Sequence, residues 1–169
     1  MRAVDESTID CIGGYMKLKN ILLAFAMGLT AVMCFAASDA LIGTWKLDEA
    51  KSKIAAGTTK NSTVTYEAVG DSIKVTIEGT AADGTATHSE WTGKLDGKDY
   101  PSTGNPAEDM RSSKQINDHT LHVVSKKDGK VVLTAHVVIA ADGKSRTVTT
   151  TGTDAQGKKY KSVAVYEKQ

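Results

Sequence analysis

Cysteine, proline and aromatic residues are scarce in this 169-residue chain, and neither sign of charge dominates it. There are 2 cysteines and 2 prolines, and Phe, Trp and Tyr together make up 5% of the residues. The 21 Lys and Arg against 20 Asp and Glu leave a formal net charge of +1. Without a strong positive field, the chain lacks the electrostatic footprint of a nucleic-acid-binding or membrane-surface protein. Its 40% hydrophobic content is that of an ordinary globular domain.

The longest apolar run, Ile21 to Ala37, is short for a membrane-spanning helix, which needs about 20 apolar residues. A segment with two lysines that begins at Met16 precedes it, and small residues end it, which is the order of a secretory signal peptide. We therefore expect residues 1–36 to be a signal region, with Met16 as the true start and cleavage after Ala36 or, alternatively, after Ala40. The protein is then predicted to be periplasmic or secreted, with no membrane span.

Both cysteines, Cys11 and Cys34, fall in this signal region. The mature chain, residues 37–169, therefore contains no disulfide, no thiol nucleophile and no cysteine ligand for zinc. Lipid attachment at Cys34 is disfavoured because the bulky Met33 stands where a small residue usually precedes an acylated cysteine.

The mature chain consists of short segments of alternating polarity, without a sustained helical period. Glycine-containing dipeptides separate them, and glycine supplies the positive φ that tight hairpin turns require; these dipeptides are Gly70-Asp71, Asp83-Gly84, Asp96-Gly97, Asp128-Gly129, Asp142-Gly143 and Gln156-Gly157. Nine strands are predicted, at Leu41–Leu47, Thr63–Val69, Ser72–Thr80, Thr85–Leu95, Arg111–Ile116, Thr120–Lys126, Lys130–Ala141, Ser145–Gly152 and Lys159–Glu167.

This spacing predicts a single all-β domain, an antiparallel up-and-down meander closed into a barrel of about 8–10 strands. Two segments depart from the strand pattern. The stretch from Asp48 to Ile54 is predicted to form a helical turn that caps the barrel, because Glu49 and Lys53 are four residues apart. The turn-rich stretch from Pro101 to Asp109 is predicted to be a surface loop.

The period of two identifies the inner face of the barrel. Ile73, Val75 and Ile77 alternate with polar neighbours, and Leu133, Ala135 and Val137 share one face of the longest strand. A small barrel either fills with side chains or encloses one small ligand. If it encloses a ligand, the predicted lining is Tyr66, Ile73, Val75, Trp91, Leu121, Val123, Leu133 and Val137. The Tyr66 hydroxyl and the Trp91 indole N–H are expected to orient that ligand.

The triplet Gly43-Thr44-Trp45 opens the first strand of the meander. In this position it resembles the Gly-x-Trp motif of the lipocalins and the wider calycin group, and more closely the small secreted lipocalin-like proteins of bacteria that begin Gly-Thr-Trp-Lys-Leu. The resemblance covers residues 41 to 167 in architecture. It implies a barrel that binds a small hydrophobic molecule, with Gly43 and Trp45 at the barrel floor.

In that family the tryptophan packs against an arginine from near the last strand. The mature chain has two arginines, Arg111 and Arg146, and Arg146 precedes the penultimate predicted strand. Lys161, in the last strand, is the alternative partner for Trp45. The sequence leaves this choice open.

The sequence contains no recognisable catalytic motif. There is no Gly-x-Ser-x-Gly elbow and no glycine-rich phosphate loop between a strand and a helix, so neither an enzyme nor a bound cofactor is predicted. Among the histidines, His119 and His122 fall on opposite faces of a strand, and His88 shares a face with Glu90, a pair that could meet a metal.

Three hypotheses follow from these features. The first is an extracytoplasmic lipocalin-like protein that binds a small hydrophobic molecule inside the barrel. The alternative is a non-enzymatic structural or interaction protein of the cell envelope with a filled barrel and an unidentified protein partner. A periplasmic metal carrier is the third and least supported.

Overall fold

Residues 39–154 and 157–169 are described by the structure, a computed structural model, and they form ten antiparallel strands. The strands are β1 (Gly43–Lys53), β2 (Lys60–Val69), β3 (Ser72–Thr80), β4 (Ala86–Gly93), β5 (Asp96–Thr103), β6 (Met110–Asn117), β7 (Thr120–Lys127), β8 (Lys130–Ile139), β9 (Ser145–Thr153) and β10 (Lys159–Lys168). The predicted signal region, residues 1–36, lies outside the described residues, and so does the predicted cleavage site after Ala36. Within the described part of the chain, no helix is long and apolar enough to cross a membrane.

Each strand pairs with its neighbours in the sequence, and β1 pairs with β10 to close the barrel. The predicted all-β, antiparallel meander barrel is therefore confirmed. Closure leaves no free sheet edge, which removes the unpaired backbone groups that promote association of open sheets. The turn glycines have positive φ angles as predicted, and Asp128, before Gly129, also has a positive φ of 50°.

The strand that sequence reasoning missed is β5, which occupies part of the predicted loop from Pro101 to Asp109. Pro101 argued against a strand here, because proline has no N–H to donate a hydrogen bond to a neighbouring strand. In the structure, the Ser102 N–H donates to the Asp109 carbonyl on the β6 side, so the Pro101 nitrogen points towards β4. The β4–β5 register includes only two pairs in the described residues, Glu90–Thr103 and Trp91–Ser102. Pro101 thus lies where no ladder bond is required.

The predicted helical turn from Asp48 to Ile54 is wrong. Residues up to Lys53 continue β1, and the register against β10 shifts between Asp48 and Lys53. Ser52 makes this irregularity tolerable: its hydroxyl donates to the Asp48 carbonyl at 2.6 Å and accepts the Val165 N–H at 2.9 Å. Pairing with β10 therefore outweighed the weak local preference for a helical turn.

The barrel has two distinct ends. At the floor end lie residues 41–43, where β1 begins, and the β2–β3, β4–β5, β6–β7 and β8–β9 connections. The upper end carries the β1–β2, β3–β4, β5–β6, β7–β8 and β9–β10 connections. Along β8, the inner-face residues Ala135, Val137 and Ile139 towards the floor are buried, whereas Leu133 towards the upper end is half-buried. Side-chain packing is thus tightest at the floor.

Candidate functional site

The floor is built around Trp45, whose side chain is completely buried. Its indole N–H donates to the Leu41 carbonyl at 2.9 Å, which ties the segment before β1 beneath the barrel. Gly43 has a φ of +123°, and a Cβ there would lie 3.0 Å from the Lys168 side chain, so both backbone conformation and space favour glycine. The two residues of the Gly-x-Trp motif therefore have distinct physical roles at the floor.

The arginine partner of Trp45 is Arg146, at the start of β9. Its guanidinium carbon lies 4.8 Å from the centre of the Trp45 ring, 4.9 Å from that of Tyr66 and 4.8 Å from that of Tyr166. The strand register explains why the Arg146 side chain points into the barrel. Arg146 pairs with Ile139 on β8 and with Tyr166 on β10, and both are buried inner-face residues. Of the two candidates for contact with Trp45, the structure thus selects Arg146 rather than Lys161. A second cation, the Lys168 ammonium, lies 5.3 Å from the Trp45 ring centre.

Arg146 is only 2% exposed, and its Nε and Nη1 atoms have no hydrogen-bond partner among the described residues. The three aromatic faces therefore provide its main stabilisation, through cation–π attraction. Tyr166 is buried with it and donates its hydroxyl to the Asn61 carbonyl at 3.0 Å. Burial raises the pKa of Tyr166 to about 12, since the phenolate would lose its hydration there.

Above the floor, the structure places all eight predicted lining residues on the inner face of the barrel. Ile73, Val75, Trp91, Leu121 and Val137 belong to the buried core, and Tyr66, Val123 and Leu133 are half-buried. Whether any of them contacts a ligand stays a prediction. The indole N–H of Trp91 is already used, because it donates to the Arg111 carbonyl at 3.0 Å. Trp91 can thus present an apolar surface to a ligand, but its N–H is not free to orient one.

Several inner-face residues further from the floor remain half-buried, namely Leu47, Ile77, Val123, Leu133, Val148 and Thr150. Because these side chains point into a closed barrel, their accessible surface faces the interior or its upper opening. A pocket of about 390 Å³ lies at the upper end of β8, β9 and β10, lined by Val131, Val132, Leu133, Thr134, Thr151, Gly152, Thr153, Lys159 and Tyr160. Gly152 makes room for Tyr160, since a Cβ at position 152 would lie 2.8 Å from the tyrosine hydroxyl.

A buried ion pair lies on the inner wall at the upper end. Glu108, in the β5–β6 connection, accepts a hydrogen bond from Arg111 Nη2 at 2.6 Å and one from the Ser102 hydroxyl at 2.7 Å. The Glu108 side chain is 3% exposed and that of Arg111 is 13% exposed. Nearby Ser125 is also buried, and neither its hydroxyl nor Arg111 Nε has a hydrogen-bond partner in the described ranges.

The ion pair between Glu108 and Arg111 was not predicted from the sequence. Glu108 was predicted to lie in a surface loop, and no role was predicted for Arg111. The alternation of β7 does place Ser125 on the same face as Leu121 and Val123, so a serine at an inner position was the one available signal.

Two of the histidines, His122 and His136, lie together, but the histidines of the described residues form no metal site. Within residues 39–154 and 157–169, no group of three or more His, Cys, Asp or Glu side chains is arranged to hold a metal ion. His88 and Glu90 do share a face as predicted, with His88 Nε2 3.9 Å from Glu90 Oε1. His88 Nδ1 also lies 2.6 Å from Glu78 Oε1, and Glu90 pairs with Lys74 at 2.7 Å. His122 and His136 face each other across β7 and β8, with ring centres 4.8 Å apart.

The described residues thus form a closed ten-stranded antiparallel meander barrel with a packed floor. Among solved structures, the chain is similar to a Schistosoma mansoni fatty acid binding protein in complex with arachidonic acid, with a TM-score of 0.54 and 18% identity. That alignment covers 79% of this chain and 98% of the other. A redesigned beta barrel aligns at 15% identity and a TM-score of 0.43, over 82% of this chain and 99% of its own. No protein-family model matches the chain, and comparison with curated protein sequences gives no match.

Proposed function

We propose that this protein binds a small, mainly hydrophobic molecule inside the barrel and catalyses no reaction. The observation that carries the proposal is the uneven filling of the interior: a sealed floor lies below apolar inner-face residues that remain half-buried. Leu133 joins this wall to the open pocket of about 390 Å³ at the upper end. The structurally similar fatty acid binding protein is itself a binding protein.

Burial of apolar surface supplies the affinity in this proposal. At about 25 cal/mol per Å², a net gain of about 8 kcal/mol, corresponding to a dissociation constant near 1 μM, requires roughly 330 Å² of buried apolar surface beyond the costs of association. Half-buried Val123, Leu133 and Val148 supply wall surface of this kind. Outer-face charges such as Lys74, which pairs with Glu90, have no part in it.

The test compares an inner and an outer substitution on the same strand. Ala135 is buried on the inner face of β8, opposite half-buried Val123 and Thr150, and Val138 is 49% exposed on the outer face. We expect the neutral dye 1-aminoanthracene to bind the wild-type barrel at micromolar concentration. Ala135→Phe displaces roughly 50 Å² of apolar contact and weakens dye binding about tenfold, whereas Val138→Phe leaves it unchanged.

Thermal melts of both variants show whether each barrel remains folded, because overpacking a core typically costs about 1–3 kcal/mol. Failure of the wild-type barrel to bind the dye would contradict the proposal and favour a filled structural barrel. Equal loss of binding in both folded variants would contradict it too, because the dye would then not occupy the interior.

We further propose that the protein is exported before it binds its ligand. The apolar run from Ile21 to Ala37 after a lysine-containing segment supports this. Mass spectrometry of the protein from its native cells should find a new N-terminus at residue 37 or 41 and a soluble extracytoplasmic fraction. An intact Ile21–Phe35 segment, or a lipid on Cys34, would overturn it.

A further inference from the structure

One row of register partners crosses the inner wall near the upper end of the barrel. Adjacent strands place directly opposite residues on the same face of a sheet. The row therefore joins the pocket to the buried ion pair, and its members are Tyr100, Arg111, Ser125, Leu133, Gly152 and Tyr160. The last three line the pocket.

Two members of this row carry unused hydrogen-bonding atoms. Ser125 is 1% exposed, and neither its hydroxyl nor the Nε of its cross-strand partner Arg111 has a hydrogen-bond partner within the described part of the chain. Buried polar groups are normally paired, because leaving one unpaired costs about 1–3 kcal/mol. Both groups can donate, so each can offer a hydrogen bond to an acceptor oxygen of a ligand.

From this geometry we propose that Arg111 and Ser125 form a polar subsite that binds a hydroxyl or carbonyl oxygen at the end of the hydrophobic ligand. This inference rests on the proposed function and specifies its ligand as an uncharged amphipathic molecule, such as a long-chain alcohol or ester. Leu133, adjacent to Ser125 in the row, provides the start of the apolar wall for the rest of that molecule.

The charges beside the proposed subsite favour a neutral polar group on the ligand. Glu108 already balances the Arg111 guanidinium at 2.6 Å, so a second carboxylate there would meet a buried carboxylate of the same sign. The other interior guanidinium, Arg146, is enclosed by three aromatic rings at the floor. Arg146 pairs with Ile139 on β8. Ile139 lies six residues from Leu133 along that strand, which corresponds to about 20 Å. A ligand anchored beside Ser125 therefore has its polar end far from Arg146.

The experiment measures displacement of 1-aminoanthracene by three ten-carbon compounds: 1-decanol, decanoate and 1-chlorodecane, the last without oxygen. Ser125→Ala removes one donor, and we expect it to weaken 1-decanol binding about fivefold while leaving 1-chlorodecane unchanged. The matched control is Ser89→Ala, another buried inner-face serine, on β4, which should change neither. Because the Ser125 hydroxyl has no partner among the described residues, Ser125→Ala should unfold at the wild-type urea concentration or at a higher one when no ligand is present.

A second variant tests the charge argument. Glu108→Gln leaves the Arg111 charge unbalanced, so we expect the affinity for decanoate relative to 1-decanol to rise about tenfold. Unchanged 1-decanol binding in Ser125→Ala would overturn the inference, because the two donors would then be satisfied by water. Decanoate binding that is stronger than 1-decanol binding in the wild type and is lost in Arg146→Met would also overturn it by placing the polar end at the floor. Absence of dye binding to the wild type would instead contradict the proposed function itself.

Discussion

Replacement of Trp45 by alanine should be among the most destabilising single changes in the barrel. The residue has no exposed surface, and removal of a buried tryptophan typically costs about 3–5 kcal/mol. Two specific interactions place the expected value in the upper half of that range. The hydrogen bond from the indole to the Leu41 carbonyl is worth about 1 kcal/mol, and its loss leaves a buried carbonyl unpaired. Contact with the Arg146 guanidinium at 4.8 Å adds about 0.5–2 kcal/mol.

These contributions can be separated by two further variants. Trp45→Phe keeps an aromatic ring over Arg146 but loses the indole N–H, so it should cost about 1–2 kcal/mol. If the cation–π contact matters, Arg146→Met should be less damaging in the Trp45→Ala background than in the wild type, with a coupling energy of about 1 kcal/mol. Val138→Ala, on the outer face of β8, is the control and should stay within about 1 kcal/mol.

Urea unfolding followed by far-ultraviolet circular dichroism measures all of these variants, because the signal does not depend on the tryptophan that is replaced. A loss below about 1 kcal/mol for Trp45→Ala would refute the reasoning. It would show that Trp45 does not seal the floor, and the likeness to the Gly-x-Trp motif would lose its physical basis.

Three other predictions concern separate parts of the barrel. Glu108→Gln should destabilise the protein by about 3 kcal/mol in urea unfolding, because it leaves the Arg111 charge buried without its partner; a loss below about 0.5 kcal/mol would mean that water already screens the pair. Burial raises the pKa of Tyr166 to about 12, whereas the unfolded chain ionises near 10, so stability should fall by up to about 2 kcal/mol as the pH rises from 10 to 12. Tyr166→Phe should show a smaller fall over that interval, and identical pH profiles would contradict this assignment. Gly93→Ala should lower the melting temperature, because the added Cβ would lie 2.5 Å from the Trp91 ring; an unchanged melting temperature would show that Trp91 moves aside freely.

Local pattern alone was enough to define the class of fold. Alternating polarity with period two fixes which residues can share a buried face, and Gly-containing turns fix where the chain reverses. Ile73, Val75 and Val137 were therefore assigned to the interior correctly. Where two local signals conflicted, the assignment was wrong: Pro101 masked a strand, and the spacing of Glu49 and Lys53 suggested a helical turn within β1.

The sequence thus determined an all-β meander, its turns and much of its inner face, because these depend on neighbouring residues. The tertiary structure alone decided which distant side chains meet. Closure of β1 on β10 and the register of β8, β9 and β10 bring Arg146 over Trp45, 101 positions apart by their numbers. The same kind of register places Arg111 opposite Ser125, and the β5–β6 connection folds Glu108 onto Arg111. Register across several strands is the sum of many pairings, and a shift of one residue would turn each of these side chains to the other face.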